Sequence, residues 1–304
     1  DKAELNGRVI TDTVTLTGGT LAGSAIGTNL TLTAQSGDLT AAELSVGGAD
    51  ATIVIATGAI LDDGATTVIQ ANSLALRAGT NIGEFSNRVD TDVARLTIDD
   101  GGLVGASSAF IQESDALILD TVRVASRFDL VAGGAVTDNG VNGIFATSAF
   151  LNVGAANDIG AVANRLDTDL ATLTIDNGGG VGARNAFVNE AGALVIDTVR
   201  TAASFDLVAG GAVTDNGVNG IFATSALLNV GAANDLGSLA NRLNTDVTNL
   251  TIDDGGAAGA NSAFVVEASA LVVDRVRVTA TFDAAVAGAL TDNGANGIVG
   301  TTAV

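Results

Sequence analysis

Carboxylates are the residues of this chain best placed to do chemistry. Thirty-four of its 304 residues are acidic, six of them Glu and the rest Asp, against 13 Lys and Arg, for a net charge of −21. They recur in order along the chain. Asp90 with Asp92 returns as Asp167 with Asp169, Asp99 with Asp100 as Asp176 with Asn177, and Asp138 with Asn139 as Asp215 with Asn216. Such groups could hold Ca²⁺, which takes six to eight oxygen ligands from a shaped loop. Neither an EF-hand loop nor a calcium-binding nonapeptide occurs in the sequence, and Asn244 stands where Asp90 and Asp167 stand in earlier copies. The expected role of these residues is therefore to form turns and keep the surface soluble, with Ca²⁺ as the alternative. Arg88, Arg165 and Arg242 lie near Asp92, Asp169 and Asp246 in sequence; Arg123, Arg200 and Arg277 lie near Asp120, Asp197 and Asp274. Surface ion pairs of small value are expected there, with an anion-binding row as the alternative.

Catalysis needs more than these residues offer. Glycoside hydrolysis requires two carboxylates in different environments across one bond, and here each has copies in similar surroundings. The chain has no His, Cys or Tyr, and its one lysine is Lys2. Its serines have no base triad. No catalytic, metal or cofactor residue is assigned, and no enzyme is expected.

The elements that must carry these groups are written in the repeat. Phe128–Asp158 and Phe205–Asp235 are blocks of equal length that differ only at Phe150, which is Leu227 in the second. Asn87–Asp92 returns at Asn164–Asp169 and Asn241–Asp246, always at a spacing of 77. Gly58–Gly64 matches Gly134–Gly140 one position off that period, so positions 1–77 read as a diverged copy. One continuous solenoid over 1–304 is expected, with a diverged repeat at 1–77, repeats at 78–154 and 155–231, and a truncated one at 232–304. Within a repeat, short apolar stretches such as Leu96–Ile98 and Phe128–Ala132 alternate with DDGG, DNGVNG and GAAND. These are strands punctuated by turn chemistry. Helical periodicity is not sustained anywhere. Many short strands, small residues and a long period point to an all-β parallel β-helix. One repeat divides into three to four coils of about 19–26 residues, and we favour four. Phe110, Phe187 and Phe264, like Phe128, Phe205 and Phe282, are expected in the core. The chain has no Pro, which fits strands paired on both sides.

Composition excludes several functions. An acidic surface without clustered Lys and Arg does not suit nucleic acid or anionic lipid. The longest apolar runs fall short of the roughly 18 residues of a membrane helix. Strands this short, with Phe as the only aromatic, do not suit a membrane barrel and its aromatic girdles. Without Cys there are neither disulfides nor thiol chemistry. An ice-binding array needs Thr-X-Thr in successive coils. Thr13-Val14-Thr15 with Thr17, and Thr31-Leu32-Thr33, begin such a pattern, and later units drop it.

The phrases at Asn29–Ala41, FDLVAGGAVTDNG, GIFATSALLNVGA and NRLDTDLATLTID resemble repeats of giant filamentous haemagglutinin-like exoproteins, adhesins of Gram-negative bacteria. The resemblance runs over essentially the whole chain. It implies a right-handed parallel β-helix, exported through an outer-membrane secretion partner and displayed outside the cell. The Asn-Pro motifs of that family's secretion domain are missing, and no receptor-binding or toxin tip is recognisable. The chain also stops mid-phrase at Ile298–Val304, which matches Ile221–Leu227, so a fragment of a longer protein is expected. The expectation is a structural or adhesive rod segment at the cell surface that gives reach or self-associates into fibres. A carbohydrate- or Ca²⁺-binding adhesion module is the alternative, and a polysaccharide-acting enzyme comes third.

Overall fold

The computed structural model describes residues 37–41, 44–45, 51–65, 68–141, 143–294 and 297–304, and before residue 37 the backbone of six short strands. Side chains are described for residues 37–40 and, from residue 56 onward, for all but 66, 67, 142, 295 and 296. Lys2, Thr17 and the side chains of Thr13, Thr15, Thr31 and Thr33 lie outside the described residues. The described residues are all β, with no helix. They fall into two units, 1–149 and 150–304.

Each unit is a parallel β-solenoid. In the first, one ladder runs from Val14 to Leu32, Val54, Leu76, Ile98, Val122 and Ile144, each paired in parallel with the next. In the second, Leu166 pairs with Val188, followed by Leu207, Leu228, Ile252, Val276 and Ile298. Its six steps average one coil of 22 residues, the separation of the paired Thr168 and Glu190. A parallel connection cannot be made by a tight hairpin; here the rest of the coil makes it. Among the described residues, antiparallel pairing is confined to small hairpins at the DDGG turns, such as Asp99–Asp100 with Leu103–Val104 and Asp253–Asp254 with Ala257–Ala258, and to single bridges such as Glu84 with Asn87 and Ala161 with Asn164.

A coil of 22 residues gives a period of 77 three and a half coils, within the expected three to four and half a coil short of the favoured four. A second ladder in the same unit runs through Ile175, Val199, Ile221, Thr245, Glu267 and Val286. Leu243, the counterpart of Leu166, lies in the same strand as Thr245, just before it, whereas Leu166 heads the first ladder. Successive copies are therefore half a coil out of phase. The physical reason is that the repeat counts half-coils, seven to a copy, and each half-coil carries its own strand stack.

Alternation decides what fills the interior. Strands Ala109–Glu113 and Ala263–Glu267 both alternate buried with half-buried residues. Leu, Ile, Val and Ala line the inside, with Phe128, Phe205 and Phe282 as its largest fully buried side chains. Phe110, Phe187 and Phe264 are half-exposed, which corrects their assignment to the core. Each follows an inward Ala (Ala109, Ala186 or Ala263), so the pleat turns it outward.

One glycine per copy combines a left-handed backbone with a Cβ position blocked by backbone atoms. Gly83, Gly160 and Gly237 have φ of +63°. A Cβ on Gly160 would lie 2.4 Å from the Phe187 carbonyl oxygen and 2.8 Å from the Leu166 nitrogen. Both atoms are backbone, the first of them in the adjoining coil, and neither can swing away. Gly160→Ala is expected to destabilise the fold by about 2–4 kcal/mol, combining a left-handed backbone penalty with displacement of a neighbouring strand. Urea denaturation of the variant against the parent measures this.

Candidate functional site

The arginines show where the charge goes. Every described arginine, eleven in all, forms an ion pair with an aspartate. The partners are not those expected from sequence proximity. Arg88 pairs with Asp129 at 2.7 Å, Arg165 with Asp206 at 2.8 Å and Arg242 with Asp283 at 2.7 Å, each 41 residues on. Arg123 pairs with Asp99 at 3.1 Å, and Arg200 with Asp176 and Arg277 with Asp253 at 3.0 Å, each one coil back. The reason is coil length. The first set spans two coils and the second spans one, so residues distant in sequence stand side by side on the sheet.

Both sets are staples across three coils. Leu166 pairs with Val188 and Phe187 with Asp206, so Arg165 reaches across the coil that carries Phe187 to its aspartate. Arg88, Phe110 and Asp129 repeat this arrangement, as do Arg242, Phe264 and Asp283. In the other set the arginine is central. Arg123 holds Asp99 of the preceding coil and lies 3.9 Å over the Phe145 ring of the next. Arg200 does the same with Asp176 and Phe222. A guanidinium stacked on an aromatic face and paired with a carboxylate is held more firmly than a free surface pair.

The turn aspartates are occupied too. Asp138, Asp215 and Asp292 accept the N–H of Gly140, Gly217 and Gly294 at 2.7–2.8 Å, and these glycines have φ of +74° to +78°. Asp62 does the same for Gly64 in the diverged copy. The following asparagine ties one coil to another: Asn139 donates to the Asp120 carbonyl at 3.0 Å, and Asn216 to the Asp197 carboxylate at 2.6 Å. Asp99, Asp176 and Asp253 accept from Gly102, Gly179 and Gly256 while holding their arginines. Asp100 pairs with Arg77 at 2.8 Å, and Asp92 accepts from Gln70 at 2.9 Å. Asp90 stands near Asp62 and Asp63; burial, then the charges of those two, raises its pKa.

Three carboxylates that sequence reasoning passed over are the most unusual groups described. Glu113, Glu190 and Glu267 are fully buried. Each accepts the hydroxyl of the threonine one coil back, Thr91, Thr168 or Thr245, at 2.7–2.9 Å. Each also accepts backbone N–H groups of that coil, from Val93, Leu170 or Val247. Burial is the main cause that pushes Glu113 up to about 7 and raises Glu190. The signal was available in the sequence: half of the chain's six glutamates sit at one position of the repeat.

Around one of them a cation-sized grouping forms. Ligand oxygens of Asp92, Glu113 and Asp115 lie within 4.8 Å of one another. It belongs to a single copy, because Gly192 and Ser269 replace Asp115 further on. The Glu113 oxygens already accept from Thr91, Val93, Ser114 and Asp115. Compared with known proteins, the chain matches no family model, no curated protein and no solved structure.

Glu113 and Glu190 set a pH dependence. A carboxyl whose folded pKa exceeds its ordinary 4.5 adds stability in full below 4.5, and that stability is lost as pH rises through about 7. Asp158 and Asp283, held low by Arg184 and Arg242, act oppositely and lose their contribution as pH falls below their ordinary 3.8. The melting temperature is therefore expected to climb from pH 8 to about 5 and fall below about 4. Glu113→Gln should flatten the upper limb, since an amide can still pair with Thr91 and accept an N–H. Glu113→Ala should destabilise at every pH, by about 1–3 kcal/mol for each donor left dry. Calorimetric scans across pH distinguish these outcomes.

Proposed function

We propose that the chain is a structural, adhesive rod segment of a large secreted bacterial surface protein, serving reach or fibre formation. The observation that carries this reading is that each copy of the repeat adds three and a half coils held by the same ladders and staples. Such a coil finds its burial against its neighbours, so added copies bring length without a new folding problem. The resemblance of its strand and turn phrases to filamentous haemagglutinin-like repeats supports the same reading. In it, export runs through an outer-membrane partner and the segment stands outside the cell. Catalysis is not part of the proposal.

Inserting one further copy of residues 155–231 tests it. The longest dimension in small-angle scattering should grow by about 17 Å, from 3.5 rungs of about 4.8 Å. Growth no larger than that of a globule, whose radius scales weakly with length, would sink the idea. Antibodies to the chain should also label intact cells of the source bacterium.

The Asp92, Glu113 and Asp115 grouping favours a second reading, a Ca²⁺-binding adhesion module. Under it, calcium should raise the melting temperature, chelator should reverse the rise, and Asp115→Asn should abolish it. A melt insensitive to both leaves the rod reading.

A further inference from the structure

Unit 150–304 carries an open groove of about 360 Å³ on the outer face of its sheet. Phe187 and Leu227 form its apolar wall, and Ser204, Asn249, Asp206 and Asp274 its polar sides. Its origin is legible from the repeat. Arg127 is the counterpart of Ser204 one copy earlier, and Arg95 is the counterpart of Asn249 two copies earlier. Phe150 is the counterpart of Leu227, and this is the only difference between the two duplicated blocks. The groove is thus lined at the positions where large side chains have given way to small ones.

The lost arginines define what the groove complements. Arg127 binds Asp129 at 2.6 Å, and Asp129 is the counterpart of Asp206. Arg95 donates through Nε to Asp120 at 2.9 Å, with a second contact from its terminal nitrogen, and Asp120 is the counterpart of Asp274. In the groove both aspartates remain and both guanidinium groups are gone. Asp206 keeps Arg165. Asp274 accepts from the Thr251 hydroxyl and the Asn293 amide, and no described arginine pairs with it. Every described arginine is already committed to an aspartate, so the chain supplies no described cation of its own there.

We infer that this groove receives the guanidinium groups of an arginine-bearing segment of a partner protein, in the place that Arg95 fills beside Asp120 and the place that Arg127 fills beside Asp129. The Asp274 carboxylate takes one guanidinium, oriented by the Asn249 and Thr251 side chains. The Phe187 and Leu227 wall receives the methylene stem. Two carboxylates against one arginine give the groove the sign that draws such a segment, and the chain's charge of −21 steers its approach. The inference goes beyond the rod reading and does not depend on it.

The test is calorimetric titration of the full chain with an end-blocked hexa-arginine peptide at physiological salt. Saturable binding is expected, weakened more than about tenfold in Ser204→Arg with Asn249→Arg. Each substitution rebuilds a pairing that repeat 78–154 already holds, Arg127 with Asp129 or Arg95 with Asp120. Asp169→Asn with Asp246→Asn changes net charge equally at exposed sites that do not line the groove and should leave binding within about twofold of the parent. Should the arginine variant fail to fold, Asp274→Asn alone is expected to weaken binding in the same way. Absence of saturable binding, or equal weakening in the arginine and control variants, overturns the inference, because the attraction would then be that of a diffuse acidic surface.

Discussion

Parallel pairing between one coil and the next is the interaction on which everything else in this protein rests. Each strand satisfies its backbone donors and acceptors against strands one coil away on either side. This fixes the side-chain columns, since positions one coil apart stand about 4.8 Å apart on the same face. The interior becomes a narrow column of Leu, Ile, Val and Ala with a Phe at intervals. The exterior becomes a lattice in which every side chain has a neighbour in the coils before and after. Ion pairs that would contribute little on an isolated strand gain a fixed partner this way. The chain uses the lattice to place its described arginines against aspartates across coils.

The buried glutamates follow from the same geometry. A coil must turn after Glu113, where the Ser114 N–H bonds the Thr91 carbonyl of the preceding coil and, with the Asp115 N–H, also reaches the Glu113 carboxylate. The Glu113 carboxylate gathers them together with Thr91 and Val93 of the preceding coil. A buried polar group is tolerated where its partners are complete. Here the glutamate closes the corner and joins two coils, and the cost of burying its charge appears as the raised pKa. Glu190 and Glu267 use the same device, with Gly192 and Ser269 supplying corner N–H groups.

Much of this was legible in the sequence. The period, the turn residues and the lack of helical spacing led to a parallel solenoid, and DNG read as turn chemistry in keeping with Asp138 and Gly140. What could not be read was anything that depends on the exact length of a coil. The pairing of Arg165 with Asp206 requires knowing that two coils separate them, and local reading offered Asp169 instead. Phe187 and Phe205 look alike in sequence. Only the phase of the pleat sends one outward and the other inward. Glu190 drew no reading, because burial of a carboxylate is visible only once its N–H partners are placed around it.

The half-coil phase gives the repeat a physical consequence that an integral repeat would lack. With four whole coils per copy, each aspartate would face its own counterpart on the same column, and a chain of this charge would stack like charges in a line. With three and a half, Leu166 heads one ladder and Leu243 lies with the other, so a residue and its counterpart in the next copy stand in different columns. Every second half-coil meets a different neighbour in the next copy, so the two strand stacks must be interchangeable in register and width. That requirement accounts for the shared pattern of inward Leu, Ile, Val and Ala in both stacks. It leaves the outward positions free to diverge, and the replacement of Arg127 by Ser204 and of Phe150 by Leu227 falls on those outward positions.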